Sequence, residues 1–289
     1  MLNFAIFARS VVATLSLTVM ALAQQQNAPR LAPQELVRRT IDNEAHSTSG
    51  GNRFMYRGTK TTPKGSTTKL YVETKEGTAG MVIAYDGHPL NPDQRRAEQE
   101  RIQRFIDNPE ELRKKRKQEQ DDAERTMRIV RALPSAFLYE YDGEEKGVPG
   151  LGRTGDPLVR LRFRPNPQYE PPTRVEQVLT GMEGILLIDA TRYRIARIDG
   201  TLFREVGFGW GILGHLDKGG HFLVQQEDIA DTWEVSKMSL NFTGKILLFK
   251  GLSISSTEVF TDYERVPADL SFAQAVELLK KQEAVVAER

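Results

Sequence analysis

The chain has 289 residues, of which 39% are hydrophobic and 27% are charged, a composition typical of a globular protein and too polar for a chain that crosses a membrane many times. Its 40 basic and 39 acidic residues nearly cancel, which excludes nucleic-acid binding through overall charge. Cysteine is absent, so disulfides, thiol catalysis, zinc–thiolate sites and iron–sulfur clusters are excluded together.

Residues 1–23 have the pattern of a secretory signal peptide. Arg9 precedes an apolar stretch from Val11 to Leu22, and Ala21-Leu22-Ala23 supplies small residues at the cleavage site. The stretch is shorter than the ~20 residues that a membrane-spanning helix needs. We therefore expect export with cleavage before Gln24 rather than retention as a membrane protein, and a chain without cysteine suits the bacterial periplasm.

Residues 24–32 are expected to form a mobile leader, and 33–289 a single domain. Pro33 is well placed in the first turn of a helix that carries Leu36, Val37, Thr40 and Ile41 on one side.

From Arg53 the hydrophobic period changes from 3.6 to 2, which indicates strands. The clearest alternation sets Val159, Leu161 and Phe163 against three arginines, as an antiparallel strand with one wet face requires. Asp86-Gly87 and Asp142-Gly143 are predicted to end strands in turns. Further strands are predicted at 201–206, 221–226, 232–242, 245–250 and 252–262.

Residues 91–133 interrupt this rhythm with a helical, highly charged insertion. Pro109 divides it into predicted helices over 92–107 and 110–131. A C-terminal helix is predicted over 269–288, with Ser271 and Gln274 in a capping box. The pattern as a whole predicts an α+β fold whose antiparallel sheet has about nine to eleven strands.

Motifs for catalysis are missing. Residues 209–214 match the letters of a dinucleotide fingerprint, but a glycine-rich loop follows instead of a helix, so no cofactor is expected. His215 and His221 lack the spacing of a metal site and are expected to lie on the surface. We expect a flexible rim loop here, with Trp210 and Ile212 available to a ligand.

The segment from Gly184 to Ile198 is an apolar strand ending in Ile-Asp, a short turn, and a strand reading Arg-Ile-x-Arg-Ile. With the signal peptide, the first helix and the strand series, it resembles the LolA/LolB lipoprotein-carrier superfamily, to which the larger domain of the regulator RseB is related. The resemblance implies a strongly curved, incomplete antiparallel barrel wrapped around helices, with acyl chains held between sheet and helices.

These observations predict a non-enzymatic envelope protein that binds an apolar ligand, such as an acyl chain, a lipid or a lipidated protein, on the concave face of a curved sheet. An RseB-like sensor or scaffold that binds another envelope protein is the alternative. A hydrolase with scattered catalytic residues has little support. The predicted ligand face consists of Phe137, Tyr139, Val159, Leu161, Phe163, Ile185 and Leu187.

Overall fold

The computed structural model describes residues 31–47, 51–208, 214–246 and 250–287. The predicted signal peptide, all but the end of the leader, and the rim loop with Trp210 and Ile212 lie outside the described residues. Within the described residues the protein is α+β, with five helices and thirteen antiparallel strands in one sheet. No helix of this part of the chain is long and apolar enough to cross a bilayer.

The helices are α1 (Pro33–Ser47), α2 (Pro92–Asp107), α3 (Pro109–Ala136), α4 (Arg174–Gln177) and α5 (Phe272–Ala287). The strands are β1 (Arg53–Thr62), β2 (Gly65–Thr74), β3 (Gly77–Tyr85), β4 (His88–Pro89), β5 (Phe137–Lys146), β6 (Pro157–Pro165), β7 (Met182–Asp189), β8 (Arg194–Leu202), β9 (Val206–Phe208), β10 (Gly214–Leu216), β11 (His221–Ile229), β12 (Thr232–Ile246) and β13 (Lys250–Val266).

The sheet runs in the order β4-β3-β2-β1-β13-β12-β11-β8-β7-β6-β5, and no pairing among the described residues closes it into a barrel. The short β9–β10 hairpin joins it through β12. The antiparallel prediction is confirmed, and without β4, β9 and β10, which are too short to show a period of 2, the sheet has ten strands, within the predicted range.

The predicted insertion is confirmed as two helices separated at Pro109. Asn91 begins α2 in a capping box with Gln94, and the Asn108 side chain accepts hydrogen bonds from the first turn of α3. The buried Glu98 ties α2 to the sheet, because its carboxylate accepts the Val82 N–H at 2.7 Å. The capping box of Ser271 and Gln274 at α5 is also present.

Two sequence predictions about strand ends are wrong. Asp142-Gly143 does not reverse the chain: β5 continues to Lys146, and Asp142 is the extra residue of a β-bulge in which Gly143 has φ +112°. The predicted strand at 245–250 lies partly outside the described residues, and its described residues belong to two strands, 245–246 to the end of β12 and Lys250 to the start of β13. Similarly, 201–206 is divided between the end of β8 and the start of β9.

Directly paired residues of antiparallel strands point to the same face of the sheet. The registers therefore assign the residues of each strand to one of two faces, which we name after Leu161 and Leu187, one residue on each. On the Leu161 face, α1 and the end of α3 cover β5 to β8. On the Leu187 face, α2 and α5 cover β1 to β3. The two helical layers therefore lie on opposite faces at opposite ends of the sheet.

Candidate functional site

Four of the predicted ligand-face residues lie in a closed core on the Leu161 face. Phe137, Tyr139, Leu161 and Phe163 are all less than a tenth exposed and belong to one cluster with the apolar side of α1. Val159 packs against the same cluster and is partly buried. These side chains are in contact with the protein's own helix, so they are not open to a ligand in this structure.

Ile185 and Leu187 were predicted to join this face, and that prediction is wrong. Leu161 pairs with Leu186, whereas Ile185 and Leu187 pair with two arginines of β6 and therefore point to the other face. Residues on both faces of β7 are apolar, so the sequence alone could not predict which of them point toward the Leu161 face. The register between β6 and β7 determines this orientation. Leu187 packs in a separate cluster with Leu151, Leu158, Ala196 and Trp233.

The arginines of β6 do not form an unpaired cationic surface. Arg160 and Arg162 both donate to Asp142, at 2.9 and 2.7 Å, and Arg160 also contacts Glu145. The bulge in β5 places Asp142 between the two guanidinium groups. This side of the sheet is therefore charge-balanced and offers little attraction to an anionic membrane.

The Leu161 face continues beyond the closed core onto the central strands β11, β12 and β13. The registers Phe222–Leu240, Val224–Met238 and Phe242–Ile254 align apolar side chains across these strands, in line with Ile198 of β8. We call this surface the central floor. Its members are Phe222, Val224, Met238, Leu240, Phe242 and Ile254, of which five are half-buried and Ile254 is 41% exposed.

Glycines allow the aromatic rings of the floor to lie flat on the sheet. A methyl group at Gly200 would come within 2.9 Å of the Phe222 ring, and one at Gly220 would come within 2.4 Å of the Phe242 ring. The Phe163 ring lies on the other side of Gly200. The closed core and the central floor are thus one continuous apolar surface, part covered and part open.

The reverse side of the same strands is mostly polar, with Leu223 of β11 and Val259 of β13 as its apolar members. Residues paired on the Leu187 face carry hydroxyl and amide groups, and Ser239 and Thr257 share a hydrogen bond there. The set comprises Ser239, Asn241, Thr243, Ser253, Ser255 and Thr257. On the floor side, Ser256 and Glu258 of β13 pair with Leu240 and Met238 and are the polar exceptions. The apolar side chains of the floor are suited to an apolar neighbour.

The helices of the described chain lie elsewhere. α1 packs against β5 and β8, α2 against β3, α3 against β3 and β5, and α5 against β2 and β3. Within the same residues, none of them makes an extended contact with β11, β12 or β13. The central floor is therefore the part of the Leu161 face that none of the described helices covers.

An aromatic stack borders the floor at β1 and β2. Tyr56 stacks on Tyr71 and Tyr263 with ring centroids 5.1 and 4.9 Å apart, and Phe260 packs edge-on against Tyr56. Two partly buried carboxylates lie beside the stack. Burial and the nearby Glu73 raise the pKa of Glu234 to about 7, and burial also raises the pKa of Glu73.

The predicted surface histidines have acidic neighbours. His221 lies 2.8 Å from an oxygen of Asp199. His215 is half-buried, and the structure brings it together with Glu205 and Asp217, so that their ligand atoms all lie within 4.8 Å of one another. The sequence spacing gave no indication of this group, because Glu205 reaches it from a neighbouring strand.

Comparisons with known proteins add one structural likeness. No protein-family model matches the chain. No curated protein matches it. A DUF1329 family protein from Desulfovibrio piger is similar in structure, with 10% sequence identity, a TM-score of 0.30, and a match covering 86% of this chain and 100% of that one. At this TM-score the likeness supports neither a family assignment nor a function.

Sequence reasoning missed the central floor, although a signal was present. Met238, Leu240 and Phe242 alternate with serine, asparagine and threonine, whereas Phe222 and Val224 are separated by Leu223, which is also apolar. This period of 2 shows that one face is apolar. It does not show that the helices stop short of that face.

Proposed function

We propose that this protein binds a hydrocarbon chain, as part of a lipid or an acylated protein, on the central floor. The observation that carries the proposal is an apolar surface, continuous with a closed core and not covered by the described helices, on strands whose reverse side is mostly polar. Apolar surface exposed as a contiguous patch usually marks a binding site. The resemblance of the β7–β8 hairpin to lipoprotein carriers is consistent with such a ligand.

The position of the floor favours a hydrocarbon over an extended peptide. β11, β12 and β13 each have hydrogen-bonded strands on both sides, so they have no free edge to which a peptide strand could be added. Side chains of Phe, Leu, Ile, Val and Met offer contact area without hydrogen-bonding groups. An acyl chain requires nothing else.

The proposal places the protein in the periplasm, because the pattern of residues 1–23 is that of a cleaved export signal. The proposed role there is non-enzymatic and consists of holding or moving the apolar part of an envelope lipid or lipoprotein. Chemical sequencing of the mature N-terminus, expected at Gln24, would check the location.

The first prediction uses two neighbouring, exposed residues of β13 that point to opposite faces. Ile254→Gln places an amide on the floor, and we expect it to weaken binding of a fluorescent fatty acid about tenfold, since a buried aliphatic side chain contributes on the order of 1–3 kcal/mol. Ser255→Gln makes the matched change on the polar face. It should leave the dissociation constant unchanged.

Fluorescence titration of the purified protein and both variants measures this difference. Lipid extraction followed by mass spectrometry tests for a ligand retained from the cell. If the wild-type protein binds no fatty acid and retains no lipid, or if both variants lose binding equally, the proposal is wrong. An amphipathic helix of a partner protein would then become the better occupant of the floor.

A further inference from the structure

A group of possible metal ligands lies outside the central floor, on the β9–β10 hairpin. Glu205 directly precedes β9, His215 is in β10, and Asp217 directly follows it. Val206 pairs with Leu216 and Gly207 with His215, so Glu205 and Asp217 lie opposite each other and on the same face as His215. Three side chains from two strands therefore converge.

The distances fit a small cation. His215 Nε2 lies 3.3 Å from an oxygen of Asp217 and 4.0 Å from an oxygen of Glu205. Ligand atoms bound tetrahedrally to Zn²⁺ at about 2.1 Å are about 3.4 Å apart. The three donor atoms thus need only small side-chain adjustments to surround an ion.

The neighbouring hydrogen bonds orient the group. The hydroxyl of Thr243 donates to the Oδ2 atom of Asp217 at 2.6 Å, which leaves Oδ1 directed at His215. A hydrogen bond that fixes a ligating carboxylate in this way is a usual feature of metal sites. β10 pairs with β12, so the backbone that carries His215 is held in the sheet.

The charges of the group also call for a cation. Two carboxylates opposite each other on a hairpin repel. His215 contacts both, but no lysine or arginine of the described residues forms an ion pair with either of them. Lys245, the partner of His215 on β12, has an exposed side chain without an ion pair in this part of the chain.

We propose that Glu205, His215 and Asp217 bind a divalent transition-metal ion, with water completing its coordination. One imidazole and two carboxylates suit Zn²⁺ and its first-row neighbours, whereas Ca²⁺ and Mg²⁺ prefer ligand sets made of oxygen alone. All three side chains are accessible, with Glu205 the most exposed, so an ion can enter from solvent. The site does not depend on the proposed apolar ligand.

Calorimetric titration of the full chain, without an affinity tag, with Zn²⁺ tests the proposal. We expect one ion per chain, and affinity at least about tenfold weaker in His215→Ala and in Asp217→Asn. Thr243→Val, which frees the carboxylate of Asp217, should weaken binding about tenfold as a positioning effect. Excess Mg²⁺ should not displace the zinc.

His221→Ala is the matched control, since His221 also lies beside an aspartate but has no second carboxylate in the group. It should bind zinc as the wild type does. Circular dichroism confirms that each variant is folded, and a zinc-dependent rise in melting temperature, lost in Asp217→Asn, gives a second readout. Absence of saturable binding, or equal affinity in the wild type and His215→Ala, would overturn the proposal.

Discussion

Partly buried carboxylates beside the aromatic stack make the stability of this protein depend on pH. Glu234 lies near Glu73, and desolvation is the largest cause of its raised pKa, followed by repulsion from Glu73 and opposed by Arg194. The folded state thus holds a proton on Glu234 up to about pH 7, whereas the unfolded chain releases it near the ordinary value of 4.5. Stability from this group is present below pH 4.5 and is lost as the pH rises toward 7.

Glu234→Gln removes this dependence by replacing the carboxyl group with a neutral amide. Because Glu234 keeps some contact with solvent, we expect the variant to gain on the order of 1 kcal/mol over the wild type at high pH, less than the full pKa shift implies. Urea unfolding at about pH 5 and about pH 8 measures the gain. Glu264→Gln, at an exposed position of β13, is the control. Identical pH profiles for wild type and Glu234→Gln would contradict the prediction.

The β7–β8 hairpin is held by Asp189 from within. Its carboxylate is 1% exposed and accepts hydrogen bonds from the backbone N–H groups of Thr191 and Arg192, both at 2.9 Å. The Arg192 guanidinium donates to the other oxygen at 2.8 Å. Asn43 of α1 donates to the carbonyls of Arg192 and Tyr193. The aspartate in the hairpin pattern is thereby explained by the turn it closes.

Asp189→Ala should destabilise the fold by about 2–3 kcal/mol, because it leaves two partly buried N–H groups and an arginine without their acceptor. Asp189→Asn keeps one acceptor oxygen and should cost less. Thermal unfolding of both variants gives the comparison. Equal stability of Asp189→Ala and the wild type would show that water replaces the carboxylate without cost.

At the scale of the molecule, one sheet joins two helix-covered cores on its opposite faces. The β1 to β3 end belongs to the core with α2 and α5, and the β5 to β8 end to the core with α1. α3 contacts both ends, since it packs on β3 and β5. Continuous pairing through β13, β12 and β11 transmits disruption of either core to the other.

We expect Leu161→Ala to cost ~2–5 kcal/mol, the usual range for truncating a buried leucine, because Leu161 is fully buried. The lost free energy of unfolding should move the unfolding transition of the entire described fold, including both cores. Within each protein, tryptophan fluorescence, to which Trp210 and Trp233 contribute, and far-UV circular dichroism should therefore give coincident midpoints in urea, and both midpoints should be lower in the variant than in the wild type. Two separated transitions would mean that the cores unfold independently.

Local chemistry in the sequence was enough to predict many elements. Pro33 and Pro109 mark the starts of helices, Ser271 and Gln274 form the predicted cap, and Leu161 points away from its flanking arginines. In each case the signal lies within a few residues of the feature, because caps, proline restrictions and side-chain alternation act over that distance.

Features that depend on which strands meet could not be predicted in this way. β7 is apolar on both sides, so the pairing of Leu161 with Leu186 decided the orientation of Ile185 and Leu187. Glu205 and His215 are ten positions apart and meet because β9 pairs with β10. Alternation along β12 determined that this strand has an apolar face. Only the tertiary structure decided that, among the described helices, those on the same face cover β5 to β8 and stop short of the central strands, because burial is decided by contacts between segments distant in sequence.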